Sequence, residues 1–320
     1  MNYTLPSLPS LNAGEEYNGT YNETVLSNNS RSENDSGLTL GQYIWHTSLF
    51  LISIFGLWGN GTVMWLLAFC LKRTPFTTYI LNLSVADFGL LTVVFISRIC
   101  LVSDFLTYLA DEMLVLIFLF VYTTGQFLLT AISIDRCVAV HFPLWHRCHR
   151  PPNMSTTVCA SIWGLSFISP AICFTLFLAD FDVYIIEIIQ FIANGFLCLP
   201  LMTISTLILF VKVCFKSHQR KRGKLLIIVL LALFFFIIFS FPINALFITV
   251  YILDSNPPSF FQYAFFYAYL NSCINPLIYF LVGRQKRGRP RRNMKAILQN
   301  AFKEEENLQE AVDAPVETQL

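Results

Sequence analysis

Charge is what this chain has least of. Asp, Glu, Lys and Arg make up only 13% of it, while 55% is hydrophobic and the mean hydropathy is +0.58. Soluble domains carry about 25% charged residues, so an ordinary water-soluble fold is excluded. Also missing are a glycine loop to cradle phosphate, a nucleophile elbow and a metal-ligand set. His146, Cys148 and His149 are too crowded along the chain for tetrahedral zinc and read as a plain loop. These absences argue against an enzyme. No segment repeats another, which removes the duplicated halves on which many transporters are built. No apolar signal-peptide core follows Met1, so the first apolar run is expected to drive membrane insertion.

What the chain has in abundance is apolar sequence in long runs, with 31 phenylalanines among them. A hydrocarbon layer ~30 Å thick needs about 20 apolar residues as helix. Seven runs suffice, over 44–70, 77–102, 113–140, 155–178, 183–211, 225–253 and 261–282. The expectation is an all-α membrane protein, a seven-transmembrane helix bundle. Of its 21 lysines and arginines, all but Arg31 and Arg98 fall on one set of alternating ends. The positive-inside rule makes those ends cytosolic and puts the N-terminus outside.

Residues 1–43 then form an extracellular tail. Acceptor triplets at Asn2, Asn18, Asn22, Asn28 and Asn34 crowd it, so it is expected to be glycosylated. Residues 44–282 make the membrane domain. Residues 283–303 begin as a basic run that faces anionic lipid, then place Met294, Ile297, Leu298, Ala301 and Phe302 at helical spacing. That pattern predicts a short amphipathic eighth helix lying at the membrane interface. Residues 304–320 read as an acidic, disordered cytoplasmic tail ending Thr318-Gln-Leu320, which either is featureless or adds a strand to a PDZ domain. With seven spans, the basic runs do not imply nucleic acid. No cysteine falls in an external loop, so no external disulfide framework is expected. A Cys100–Cys173 bridge is left open.

Polar residues inside the spans carry the functional argument, because charge there costs up to about 2.5–3.5 kcal/mol. Asp135-Arg136 closes the third run: either the pair snorkels into the headgroups, or it is a switch released by a cytosolic partner. Asp87 lies well inside the second run, and Asn271, Ser272 and Asn275 share one face of the seventh. That set is either packing glue between helices or a network that also admits a sodium ion or water. Pro170, Pro200, Pro242 and Pro276 bend their helices, and Asn275-Pro276-x-x-Tyr279 couples such a kink to an amide and a phenol.

These residues resemble the rhodopsin-like class of G protein-coupled receptors over about 44–302. The likeness rests on Gly59-Asn60, Leu83-Ser-Val-Ala-Asp87, Asp135-Arg136-Cys137, Trp163, Pro200, Pro242 and Asn275-Pro276-Leu-Ile-Tyr279. The segments Leu129-Thr-Ala-Ile-Ser-Ile-Asp-Arg-Cys137 and Pro143-Leu-Trp-His-Arg-Cys-His-Arg-Pro151 are similar to the Mas-related family within it. The resemblance implies a plasma-membrane receptor with a heterotrimeric G protein and an extracellular ligand as partners, and no cofactor beyond an allosteric sodium ion. It assigns Asp135, Arg136, Cys137, Asn275, Pro276 and Tyr279 to the G protein switch, Pro200 and Pro242 to hinges, and Asp87, Asn271, Ser272 and Asn275 to the sodium site. The chain departs from the wider class in several places. Ser240 replaces the tryptophan two residues before Pro242, Gly125 stands where a serine helps hold sodium, and no acid follows Lys224 to restrain Arg136.

Ligand candidates are Glu187, Arg98, Phe118 and Tyr122. Phe118 stands where amine receptors carry Asp, which argues against a monoamine. Glu187 is either a cation-reading acid, or a carboxylate turned to water or paired with Arg98. Phe118 and Tyr122 serve equally well as core aromatics. An acid-rich exterior favours a peptide or cationic small molecule by steering. The rival readings are a seven-helix scaffold that has lost signalling and, further off, a transporter.

Overall fold

The computed structural model describes residues 40–102, 108–151, 153–179, 181, 184–215, 223–247, 261–283, 294–299 and 302. The glycosylation triplets, the basic run at 284–293 and the acidic tail lie outside them. Among the described residues the architecture is helical with no strand. In chain order the helices are α1 (Leu40–Trp65), continued by a π-turn over Leu66–Cys70, α2 (Pro75–Val102), α3 (Tyr108–His141), the short α4 (Pro143–Cys148), α5 (Met154–Leu178), α6 (Tyr184–Phe215), α7 (Gly223–Phe247) and α8 (Phe261–Gly283). All but α4 contain a stretch long and apolar enough to cross a membrane, the seven that the hydropathy of the chain calls for.

Local chemistry sets the inner ends. Thr74 precedes Pro75, which at the first helical position loses only an N–H that would have no intrahelical partner anyway. The Thr77 N–H donates to Thr74 Oγ1 at 3.2 Å, and the Thr74 N–H donates back to Thr77 Oγ1 at 2.7 Å. This reciprocal cap starts α2 sharply and holds Phe76 in its first turn. Pro143 likewise stands at the start of α4, after Phe142, here without a side-chain cap. The segment around His146 is thus helical, not the plain loop expected, because Pro143 presets the helical φ.

α3 is the axis of the bundle, in contact with α2, α4, α5, α6 and α7. Around it lie two apolar cores. The inner one includes Phe76, Leu83, Leu128, Met202, Leu209, Phe236 and Tyr279. The outer one includes Leu49, Phe118, Leu119, Tyr122, Ile243 and Tyr269. Phe55, Trp58, Phe69, Leu165 and Phe196 point outward, where lipid replaces water.

Lipid tails are as apolar as leucine, so close approach and polar cross-links must hold the helices together. Both are present. A Cβ at Gly56 would stand 2.5 Å from Cys273 Sγ and from Leu91 Cδ1, so only glycine lets α1, α2 and α8 meet there. A Cβ at Gly195 would stand 2.4 Å from Asn244 Oδ1, between α6 and α7. Trp163 Nε1 donates to Asn82 Oδ1 at 3.0 Å, joining α5 to α2. Cys100 and Cys173 both stay as thiols outside any disulfide, so the open question of their bridge is answered against it.

Residues 294–299 are helical, and part of their apolar face packs on the bundle. Leu298 is 0% exposed and Phe302 4%, both within the inner core. Phe302 finds ring partners on α2 and α8, and packing against rings fits its shape better than fluid acyl chains do.

Candidate functional site

Three sites stack along the bundle, and the innermost is the most fully built. α3 delivers Asp135 and Arg136 to the inner end at 9% and 3% exposure, so neither snorkels to the headgroups. Arg136 Nε donates to Asp135 Oδ2 at 3.1 Å, and its Nη2 contacts the same oxygen. The other carboxylate oxygen is taken from below. Arg150 Nη2 lies 2.7 Å from Asp135 Oδ1, with His146 Nε2 at 3.6 Å. Arg150 also reaches His146 Nε2 at 2.8 Å and donates to Ser155 Oγ at 2.7 Å, tying α4 to the start of α5. One buried carboxylate thus holds two guanidiniums, an arrangement far stronger than an exposed pair. Arg136 has more than the local restraint of Asp135 that its sequence context suggests.

The apolar side of Arg136 is equally defined. Its guanidinium sits over the Phe76 ring at 4.6 Å, a geometry worth about 2 kcal/mol when desolvated. Phe76 meets Phe302 edge-on at 5.8 Å, and Phe302 meets Tyr279 at 5.9 Å. Arg136 and Tyr279 are therefore linked by two rings in series. The Cys137 thiol donates to the Ser205 carbonyl at 3.2 Å, joining α3 to α6 beside this chain.

At mid-bundle Asp87 accepts from Asn275 Nδ2 at 2.8 Å and is bonded to the Ser272 hydroxyl. Asn60 Nδ2 donates at 3.0 Å to the carbonyls of both Gly56 and Ser272. The side-chain oxygens of Asn60, Asn271 and Asn275 are buried and have no hydrogen-bond partner among the described residues. A buried acceptor left alone is costly. A carboxylate among amide and hydroxyl oxygens is the donor set that a hard cation takes. Sodium fits that set, and a Cβ at the buried Gly125 of α3 would meet nothing within 4 Å.

Beside the prolines of α6 and α7 lies a belt of hydrogen bonds. Gln190 Nε2 and Asn194 Nδ2 on α6 both donate to Thr123 Oγ1 at 2.8 Å. Gln126 Nε2 on α3 donates to Ser240 Oγ on α7 at 3.2 Å, and Asn244 Nδ2 donates to the Ser240 carbonyl at 2.7 Å. Pro200 and Pro242 interrupt their helices in these same two spans.

The outer end is aromatic. Phe118 stacks on Tyr122 at 5.6 Å and meets Tyr269 edge-on at 6.2 Å, with Phe265 at 6.1 Å. Arg98, four residues from the end of α2, donates to the Tyr269 phenol. Glu187 lies on α6, but its side chain falls outside the described ones.

Comparison with known proteins matches residues 59–279 to the family model for the 7 transmembrane receptor of the rhodopsin family. The chain is 35% identical over 271 residues to the proto-oncogene Mas of Rattus norvegicus, covering 81% of this chain and 84% of the relative. It is also 35% identical to the Mas-related G-protein coupled receptor member D of Macaca fascicularis, over 79% of this chain and 83% of that one. A third relative, member H of Rattus norvegicus, is again 35% identical, over 82% and 84%. The chain is a Mas-related receptor of the rhodopsin family. It is a multi-pass protein of the plasma membrane and a receptor, not an enzyme.

In this receptor, residues singled out from sequence meet in three places: Asp135 with Arg136 at the inner end, Asp87 with Ser272 and Asn275 at mid-bundle, and Phe118 with Tyr122 at the outer end. Arg136 and Tyr279 do not touch; two intervening phenylalanines connect them. Sequence reasoning missed Phe76, His146, Arg150 and Phe302 around the inner pair, and Gln126, Gln190 and Asn194 in the belt. The three amides interrupt apolar runs and were findable on that signal alone. Nothing local to the first four says that they meet Asp135, Arg136 or Tyr279.

Proposed function

We propose that the receptor converts binding of an extracellular ligand, a peptide or a cationic small molecule, into activation of a heterotrimeric G protein. The inner assembly supports this best: a buried acid–arginine pair coupled through Phe76 and Phe302 to Tyr279. An assembly that served only to anchor helices would gain as much from apolar packing, without the desolvation cost of three buried charges. Agonist in the outer basin favours a state in which α7 swings away from α3, pivoting near Pro242. Gln126 then releases Ser240, and Arg136 and Tyr279 line the cavity that receives the G protein. A ligand shifts such an equilibrium only by its differential affinity for the two states, so the closed set of bonds defines the gap to be overcome.

Guanine-nucleotide exchange in membranes tests the reading. Wild-type receptor is expected to drive exchange, basally or with agonist, and Arg136→Ala at matched surface expression to lose it. Equal exchange in the two would leave a membrane scaffold as the better description. A rise in membrane flux without exchange would favour a transporter.

A further inference from the structure

The inner assembly contains an imidazole that the mechanism above does not use. His146 stands on the face of α4 turned to Asp135, with its Nε2 2.8 Å from Arg150 Nη1 and 3.6 Å from Asp135 Oδ1. A guanidinium nitrogen only donates, so Nε2 of His146 is the acceptor of that bond. The geometry therefore holds the imidazole in its neutral form, with the proton on Nδ1. At 17% side-chain exposure His146 is also more open to water than Asp135 or Arg150. Among side chains, imidazole is the one whose ordinary titration lies within the pH range of living cells.

The groups around this imidazole decide what a proton does to it. α3 brings Asp135 and, on the other oxygen of that carboxylate, Arg136. The chain ahead of α5 brings Arg150, which Ser155 Oγ also holds at 2.7 Å. α2 brings Tyr79, which interacts with Asp135 and Arg150 and bonds to Ser155, with Cys159 of α5 beside it. His141 and His149 are exposed, and His141 Nδ1 meets the Cys137 carbonyl at 3.0 Å. The side chain of Arg147 falls outside the described ones. A proton on Nε2 turns that acceptor into a donor facing a guanidinium at hydrogen-bond distance, and two cations that close repel. The nearest acceptor is then Asp135 Oδ1, a short swing away. That oxygen already takes Arg150 and its twin takes Arg136, so one carboxylate is left to serve three cations.

We propose that His146 is a proton sensor of the inner face, which favours the open state of the switch as the pH at that face falls. In the closed state Arg136 occupies Asp135; in the open state it lines the G protein cavity and leaves that carboxylate. The open state therefore offers protonated His146 a carboxylate with one cation fewer on it, and binds the proton more tightly. Proton binding and opening are reciprocally linked, so acid favours opening and alkali favours closure. A proton held about three- to tenfold more tightly by the open state shifts the open-to-closed ratio by the same factor once the site is filled. The link from protonation to exchange rests on the receptor reading above; the loss of the Arg150 bond to His146 does not.

The test uses the full chain in lipid nanodiscs at about pH 7.5 and about pH 6.0, on either side of the ordinary imidazole range. Amide hydrogen exchange in 143–149 is read without G protein and corrected for its intrinsic pH dependence. Basal nucleotide exchange by added G protein is read as the ratio of wild type to His146→Gln at each pH, so that the G protein's own pH response cancels. His146→Gln goes on accepting from Arg150 through its side-chain oxygen and takes up no proton. In acid, wild-type α4 is expected to lose about threefold or more of its protection, and His146→Gln to keep its own. The exchange ratio is expected to rise by about three- to tenfold. Wild-type protection that stays the same, an equal loss in His146→Gln, or a flat ratio in a receptor that does drive exchange would each overturn the proposal. If His146→Gln does not fold, wild-type protection alone decides. No nucleotide exchange at either pH would overturn the receptor reading instead, and loss of α4 protection in acid would still establish the protonation.

Discussion

Replacing Phe302 with alanine isolates the contact that the inner helix makes with the switch. The ring is buried between Phe76 and Tyr279, at 5.8 and 5.9 Å, and Phe76 in turn carries the Arg136 guanidinium. Each aromatic pair contributes about 0.5–1.5 kcal/mol beyond its buried area. Phe302→Ala therefore removes about 1–3 kcal/mol from the closed arrangement, in which Tyr279 is packed and Arg136 covered. Losing that much shifts the open-to-closed ratio by about 5- to 150-fold. If about 1% of receptors are open at rest, the open fraction rises to between about 5% and about 60%. The assay is basal guanine-nucleotide exchange in membranes without agonist, at matched surface expression. Phe302→Leu keeps apolar bulk but not the ring pairs, and should give a smaller rise. A folded Phe302→Ala receptor with wild-type or lower basal exchange would refute the reasoning. The ring contact would then be equally present in both states, and the inner helix would be packing alone.

Two further outcomes follow from the same geometry. Arg150→Gln removes one charge-assisted bond to Asp135, worth about 1.5–3 kcal/mol, and with it the tie between α4 and Ser155. Amide hydrogen exchange in 143–148 is expected to speed up by about tenfold or more while the middle of α3 keeps its protection; unchanged exchange in α4 would show that Arg150 does not hold it. Asp87→Asn removes the one carboxylate of the mid-bundle cradle. Sodium, compared with a bulky organic cation at equal ionic strength, is expected to raise the unfolding midpoint of the wild type but not of this variant. At ten times its dissociation constant a bound ion stabilises by about 1.4 kcal/mol. A sodium effect that survives in Asp87→Asn would place the ion elsewhere.

The seven spans and the pairing of Asp87 with the α8 face were legible in the chain. Hydropathy and helical period are properties of consecutive residues. The face shared by Asn271, Ser272 and Asn275 is equally local, and Asp87 was the obvious polar group for it to meet. Period alone does not say what an apolar face meets: Leu298 and Phe302 pack on protein. His146 looks like loop, yet it stands beside Asp135.

Composition and periodicity by themselves determined that this chain spans the membrane seven times and places costly polar groups at two depths. Tertiary structure alone decided what those groups touch: Arg150 on Asp135, Phe76 under Arg136, and Phe302 against Tyr279. Such pairings depend on how far each rigid helix is rotated and slid along its axis relative to its neighbours. A shift of one residue turns a side chain by about 100° and changes its partners, while every local pattern that sequence reading relies on stays the same.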